Sequence, residues 1–468
     1  MSKSDKRPKK TKIKEQLELF GDAEKAISQT TSGTSRGDMR AELLSRLRYQ
    51  RSLTTNLMDK ISSYGSLGKA YQQVKRNQGS GGVDGVSISD FGSNLTSELK
   101  VLHGQLSEGK YEAKAVRGVE IPKANGGIRR LGIPTIADRV VQQSILTALQ
   151  PIYDPHFSDY SYGFRPNRSA HQAIAQAAAY VQEGYNWVVD IDLKNFFDEI
   201  NHDRLMSRLS KVIADKKVLD LIRSYLKAGL MVDGLVSQRI AGSPQGGPLS
   251  PLLSNIVLDE LDRELEARGL RFVRYADDCN IFVKSERSAH RVMDSLVVYI
   301  EEKLKLKVNR EKSGVGQCET VKFLGVTIER KGTIRLADAN EARFKKKIRS
   351  ITKRNRGLKF AQIIKEVNLV IQGWGIYFRC CNTWLNTFKN LDGWIRKRLR
   401  CYALKQHQRR YATFRFLRSL KVRERLAWNA VLYRSWWPMA NYVPVRKAMG
   451  IAWFAAQGLK SLFHVQQG

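Results

Sequence analysis

Acidic residues are scarce in this chain: 45 Asp and Glu stand against 80 Lys and Arg among 468 residues, a net charge of +35. A surplus of that size repels itself unless it meets a polyanion, which in cells is mostly nucleic acid, so an acidic small-molecule enzyme is a poor reading. Cysteine is sparse too. Its five copies, Cys279, Cys318, Cys380, Cys381 and Cys401, include no Cys-x-x-Cys pair and no nearby His pair at metal spacing, which argues against a disulfide framework and a structural zinc site. No run approaches the ~18 apolar residues of a membrane span. The N-terminus, with Lys6, Arg7, Lys9, Lys10, Lys12 and Lys14, lacks the apolar stretch of a signal peptide. The expectation is a cytoplasmic protein, with nucleoid association as a variant and no membrane partner; its oligomeric state is left open. What is present is 42% hydrophobic residues, enough for folded cores. At roughly 100 to 200 residues per domain, two to four domains fit.

The positive charge is uneven. From Asn340 to the end there are 28 Lys and Arg and only four acids, Glu341, Glu366, Asp392 and Glu424. Seven of the eight tryptophans share that stretch: Trp374, Trp384, Trp394, Trp428, Trp436, Trp437 and Trp453. Basic side chains interleaved with aromatics suit a surface that tracks a phosphate backbone and stacks bases. Each Trp taken singly fits helix packing as well, but a merely solvated face would mix its charge signs.

Residues 1–40 are polar, basic and without periodicity, and read as a flexible tail. The segment Asn186 to Asp192 is a short apolar run with β-branched residues, a buried strand ending in acid. Ser250 fits the cap of a helix that has Pro251 in its first turn and Gly269 at its end. Arg271 to Val283 reads as two strands around a tight turn at Ala276, Asp277 and Asp278. Ser288 fits the cap of a helix to about Leu304, Leu306 to Asn309 reads as a short strand, and Lys331-Gly332 as the turn of a hairpin between Val321–Ile328 and Thr333–Leu336. The interleaving predicts an α+β core with an antiparallel sheet backed by helices. Beyond Asn340 only helical patterns appear, so a separate helical domain is expected.

Two acidic places stand at strand ends or turns: Asp192, with Asp190 nearby, and the adjacent pair Asp277 and Asp278. Carboxylates held rigidly there suit Mg²⁺, which takes oxygen ligands and keeps substrate phosphates in its shell. Two such ions activate an attacking hydroxyl and stabilise the leaving oxygen of a phosphoryl transfer. Alternation along a strand points Asp277 toward the ion shared with Asp192, makes Asp278 a secondary ligand and leaves Asp190 structural. Taken alone, Asp277-Asp278 also suits a bare hairpin turn.

The surroundings of these acids resemble a known family. Tyr275-Ala276-Asp277-Asp278 is similar to the Tyr-x-Asp-Asp box of reverse transcriptases, and the family's other boxes follow in order. Asp192 to Asp198 resembles the first catalytic box, Gly242 to Gly247 the Pro-Gln-Gly loop, Asn309 to Ser313 the lysine-bearing box, and Phe323-Leu324-Gly325 the primer grip. Upstream, Ile121 through Arg129 to Pro134 and Ser161 to Pro166 resemble fingers segments. Within the basic region, Ile371 to Phe378 is similar to the maturase-specific signature of group II intron-encoded reverse transcriptases, as Arg76 to Gly79 with Gly82 to Gly85 is to their extra N-terminal box. No Cys-pair and His-Asn-His endonuclease module follows, so DNA-strand cleavage is not expected.

The resemblance implies a right-hand polymerase, with fingers and palm over 41–336 and a helical thumb/maturase region over 337–468. It implies an RNA-directed DNA polymerase that extends a primer with deoxynucleoside triphosphates. It also implies an RNA template, a DNA primer or target, and an intron RNA whose splicing and mobility the protein assists. Asp192, Asp277, Asp278 and the Leu193 carbonyl are then the ligands of two Mg²⁺ ions, with Mn²⁺ as a substitute. Phe197 is the steric gate against a ribose 2′-hydroxyl, while Lys123, Arg129 and Gln245 meet the incoming nucleotide. Lys312 either protonates the departing pyrophosphate or steadies it. Trp374, Tyr377, Arg396, Lys397, Arg398, Arg400, Arg409 and Arg410 are the RNA-contact candidates. Two rivals stay open: a splicing-only RNA-binding maturase, and a reverse transcriptase domesticated for host defence or repair.

Overall fold

A computed structural model of the protein describes residues 54, 56–122, 128–232, 235–237, 242, 246–381 and 384–463. The expected tail over 1–40 and the candidates Lys123 and Gln245 lie outside the described residues, as does the side chain of Arg129.

The first sheet runs in the order β2-β1-β4-β5. Strands β1 (Val116–Pro122) and β2 (Ile128–Ile133) pair antiparallel, β1 pairs parallel with β4 (Leu230–Val232), and β4 pairs antiparallel with β5 (Leu235–Ser237). A second sheet, antiparallel throughout, has the order β6-β7-β3-β8, built from β3 (Trp187–Ile191), β6 (Arg271–Tyr275), β7 (Asp278–Val283) and β8 (Gly314–Gln317). A hairpin of β9 (Val326–Glu329) and β10 (Thr333–Leu336) follows.

Side chains alternate across a strand, and both faces of the second sheet are covered. The helices that cover them are α1 (Ala170–Gln182), α2 (Ser250–Ala267) and α3 (Glu286–Val298). Val189, Ile191, Phe272, Cys279 and Ile281 share one face and one apolar cluster with Leu258 and Leu261 of α2 and with Leu296 of α3. Val188, Val273 and Phe282 face the other way, toward Ile174 and Ala177 of α1. They share that cluster with Phe344 of α4 (Asp338–Ile351), Ile363 of α5 (Phe360–Tyr377) and Phe388 of α6 (Trp384–Gln406). Each such burial contributes about 1.5 to 3 kcal/mol, against about 1 kcal/mol net for a ladder hydrogen bond. Packing on the two faces therefore sets the register. The same cluster joins the sheet to the C-terminal helices, so the chain turns helical after Leu336 without a break in its core.

The α+β architecture agrees with the sequence reading, while several local expectations are corrected. Ser250 is the first residue of α2, and the cap position falls on Leu249. The cap of α3 is Ser285, whose hydroxyl accepts from the Ser288 amide, because a cap must precede the first turn. Leu306 to Asn309 forms a single bridge, Leu193 with Val308, rather than a strand. No helix among the described residues is long and apolar enough to cross a membrane.

Candidate active site

The β6–β7 turn consists of Ala276, with φ 60°, and Asp277, closed by the Tyr275–Asp278 pair. Because the turn takes only these two residues, Asp278 already belongs to β7. The β3–β7 ladder ends at Ile191 and Cys279, so Asp192 and Asp278 are the next residues across it, on the face that carries Asp190. The expected parity is thereby shifted by one residue: Asp278 lies across from Asp192, and Asp277 occupies the turn.

Charge crowding on this face is severe. Burial pushes Asp278 up to about 7, helped by the charges of Asp190, Asp277 and Asp192 in that order. Burial and then Asp192 push Asp190 up to about 6. Asp190, expected to be structural, thus belongs electrostatically to the cluster. One cation answers it: Lys312 Nζ lies 3.0 Å from Asp192 Oδ2. The pair is about half-exposed on the lysine side, so its attraction contributes at most about 1 kcal/mol.

The backbone of Asp192 is fixed by the segment that carries Lys312. Its N–H donates to Ser313 Oγ (2.9 Å), and its carbonyl accepts from the Asn309 amide (2.8 Å) and from Ser313 Oγ (3.2 Å). Ser313 is a positioning residue that sequence reading passed over as part of a box. On the other side of the bridge, Lys194 donates to the Lys307 carbonyl. These two flanking bonds make Leu193–Val308 a pair that exchanges no bond of its own, so the Leu193 carbonyl points away from Val308, toward the β7 side.

The donors suit a hard divalent cation, being carboxylates and a carbonyl. A further sign is Asn280, fully buried across from Asp190, whose amide oxygen and nitrogen both lack a protein partner. Such an amide is satisfied by the water shell of a hydrated ion. The expected cage of Asp192, Asp277 and Asp278 is nonetheless not closed: among the described residues no three His, Cys, Asp or Glu side chains converge closely enough to hold a metal.

Beneath the turn lies a group that sequence reading missed. Arg274, on the opposite face of β6, is wholly buried against wholly buried Asp262 of α2. Its Nε and Nη2 donate to the two Asp262 oxygens at 2.7 and 2.5 Å, while Nη1 donates to Asn255 Oδ1 (2.9 Å) and to the Ala276 carbonyl (2.8 Å). Asn255 in turn donates to the Gly163 carbonyl at 2.9 Å. The guanidinium therefore holds the turn that carries Asp277. Gly163 packs so tightly that a Cβ there would lie 2.2 Å from the Ala276 nitrogen, which explains the glycine in Ser161-Tyr162-Gly163-Phe164. An Arg beside an aromatic residue in a strand was the only signal available, and it is weak.

After β3, Asn195 takes a left-handed φ of 48° and starts the short helix Phe196–Glu199. Phe196 is buried, whereas Phe197 is half-buried and meets it edge-on at 5.4 Å. Gly242, with φ 90°, is held just past the end of this helix: its N–H donates to the Ile200 carbonyl (2.8 Å), and its carbonyl meets His202 Nε2 at 2.6 Å. A Cβ at Gly242 would lie 2.7 Å from Asp198 Cα, so only glycine permits that approach.

The eight C-terminal candidates do not form one surface. Trp374 packs among Phe344, Phe378 and Phe388 at 4.4, 4.7 and 5.6 Å and is a core residue. Tyr377 donates its hydroxyl to the Leu324 carbonyl (3.1 Å), and its own carbonyl meets His171 Nε2 at 2.6 Å, so it joins α5 to α1 and to the Phe323-Leu324-Gly325 loop. Arg400 is buried, donating to the Ala440 and Met449 carbonyls, and burial brings it down to about 10. Arg398 donates to Thr352 Oγ1 and lies over Trp394. Trp374 and Arg400 are corrected to structural roles, since helical spacing alone does not reveal which sides of α5 and α6 are covered, whereas Tyr377 is exposed and Arg398 half-buried. Lys397 lies over Trp437 at 4.1 Å, Arg396 is half-buried, and Arg409 and Arg410 are exposed.

Residues 121–328 match the family described as reverse transcriptase (RNA-dependent DNA polymerase), and residues 342–420 match the group II intron, maturase-specific domain. Protein YkfC of Escherichia coli (strain K12) is 34% identical over 289 residues, 53% of this chain and 76% of that protein. Group II intron-encoded protein LtrA of Lactococcus lactis subsp. cremoris is 30% identical over 335 residues, 57% of this chain and 55% of that one. The putative COX1/OXI3 intron 2 protein of Saccharomyces cerevisiae is 34% identical over 261 residues, 54% of this chain and 30% of that one. The chain thus spans about half of LtrA and less of the yeast protein.

Arg274→Met leaves Asp262 buried and unpaired and should cost about 3 to 5 kcal/mol in chemical denaturation, most of it recovered in Arg274→Met with Asp262→Leu. In chelator-treated protein, folded Asp278 binds its proton up to about pH 7 and unfolded Asp278 only up to about 3.8. The folded state holds the extra proton between those values, so stability falls as pH rises through that window. Asp278→Asn should therefore raise Tm above pH 7 and leave it nearly unchanged near pH 4, read by thermal scans at both.

Proposed function

This chain belongs to the reverse transcriptases that carry a group II intron maturase domain, and from that premise we propose that it extends a primer 3′-hydroxyl along an RNA template with deoxynucleoside triphosphates. One observation carries the reading: Asp190, Asp192, Asp277 and Asp278 share the end of a rigid sheet, where burial, with their mutual repulsion added, lifts Asp278 to about 7. Nothing in the fold's stability asks for that cost, and a cation-bound phosphoryl-transfer centre does.

Asp192, Asp277 and Asp278, with the Leu193 carbonyl, would hold Mg²⁺ or Mn²⁺, and the bound ions would supply positive charge that favours the ionised primer hydroxyl and the leaving pyrophosphate. The chain's own residues do the rest. Phe197, half-buried and backed by Phe196, stands where a ribose 2′-hydroxyl would collide. Lys123 and Arg129 neutralise the triphosphate, Arg129 with a planar fork and Lys123 with a point charge. Gln245, three residues beyond Gly242 in the sequence, would meet the incoming nucleotide. Lys312, paired with Asp192 at 3.0 Å, would protonate the departing pyrophosphate or steady it.

The fingers and palm would occupy 41–336, and the helical thumb/maturase region 337–468 would bind intron RNA to assist splicing and mobility in the cytoplasm or at the nucleoid. The basic surplus after Asn340 supports that second role.

Asp277→Asn should lower primer extension by at least about 100-fold, the upper end of the roughly 10- to 100-fold loss typical of an outer partner of a metal, while fluorescence titration shows RNA affinity unchanged. Full extension by this variant would refute the assignment. Phe197→Ala should raise the ratio of ribonucleotide to deoxynucleotide incorporation by at least about tenfold; an unchanged ratio would reject the gate.

A further inference from the structure

Away from the carboxylates, two C-terminal helices carry an aromatic array that none of these roles uses. On α7 (Arg410–Ser419), Tyr411 and Phe414 lie one turn apart, and Phe414 stacks on Trp428 of α8 (Glu424–Val431). The Tyr411 and Phe414 rings are 6.0 Å apart at 23°, and the Phe414 and Trp428 rings 4.3 Å apart at 22°. Rings recruited only for helix packing would be covered. Here Tyr411 is 62% and Trp428 42% exposed, while Phe414 leans on the core beneath them.

Helical spacing sets Arg415 on the Tyr411 side of α7 and Arg425 on the Trp428 side of α8. Both are exposed, and neither has an ion-pair partner among the described residues. Near-parallel open rings flanked by unpaired guanidinium groups match a ligand that alternates flat apolar faces with anions. Bases already stacked in a duplex do not offer such faces, and an apolar protein partner would leave the cations uncompensated.

We infer that Tyr411, Phe414 and Trp428, flanked by Arg415 and Arg425, form a stacking platform for unpaired bases of single-stranded RNA. That the strand is RNA rests on the intron-binding reading above; the preference for unpaired bases rests on the rings.

The test is titration of a labelled single strand of about 12 nucleotides, within the site size of such grooves, and of the matching duplex, using the full chain over a range of salt. Tyr411→Leu with Trp428→Leu should weaken strand binding about 100-fold, roughly tenfold per ring, with the salt slope and duplex affinity unchanged. Arg415→Gln with Arg425→Gln should lower the salt slope by about two. Trp428→Phe keeps an aromatic face and should bind the strand near the wild-type level, which separates stacking from folding. Unchanged strand binding by the Leu variant overturns the proposal. Equal loss for strand and duplex overturns it too, as does a shift in sedimentation that makes the rings an interface with a second copy. Wild-type protein that binds the strand through these rings yet never extends a primer would sink the polymerase reading and leave the platform standing.

Discussion

A guanidinium sealed from solvent costs several kcal/mol to desolvate, so Arg274 is tolerable only because Asp262, Asn255 and the Ala276 carbonyl answer it with four hydrogen bonds. That answer has a geometric consequence. The turn bearing Asp277 is tied through Ala276 to the helix bearing Asp262, and through Asn255 and Gly163 to the segment around Tyr162. The acids above the sheet are raised first by burial and then by repulsion from one another. A floppy turn would relieve that repulsion by moving away. The buried pair below the sheet removes that escape, so the carboxylates stay crowded and ready for a cation.

The same logic of support from behind recurs around the site. Ser313 and Asn309 fix the backbone of Asp192. Phe196 backs Phe197, and the Gly242 amide bonds to the Ile200 carbonyl just past their helix. Tyr377 and Asn340 donate to the Leu324 and Gly325 carbonyls, so helices of the C-terminal region hold the loop resembling a primer grip. Because one apolar cluster runs from the sheet into α4, α5 and α6, a change in those helices reaches the site through packing. The C-terminal region is thus a structural partner of the sheet as well as a basic surface.

Much of this was legible in the residues, for identifiable reasons. Strand β3 announced itself by Trp187-Val188-Val189 ending in acid, and the β6–β7 turn by its paired aspartates, since both signals are local. Ser285 was missed in favour of Ser288 because two serines in one approach give the same cap pattern. Arg274 was missed because burial and partnership with Asp262 are facts of tertiary packing, twelve residues and one helix away. Arg400 and Trp374 were misplaced because a basic, aromatic helix looks the same from every side until its neighbours are known. Strands β4 and β5 join a sheet through a parallel contact with β1, which no short-range pattern encodes.

The most direct measurement is anomalous scattering from crystals holding the protein, an RNA template with a DNA primer, an unreactive deoxynucleotide and Mn²⁺. The account predicts manganese held by Asp192 together with Asp277 or Asp278, with Lys312 released from Asp192. Manganese bound elsewhere, with Lys312 still on Asp192 and the aspartates facing only water, would contradict it.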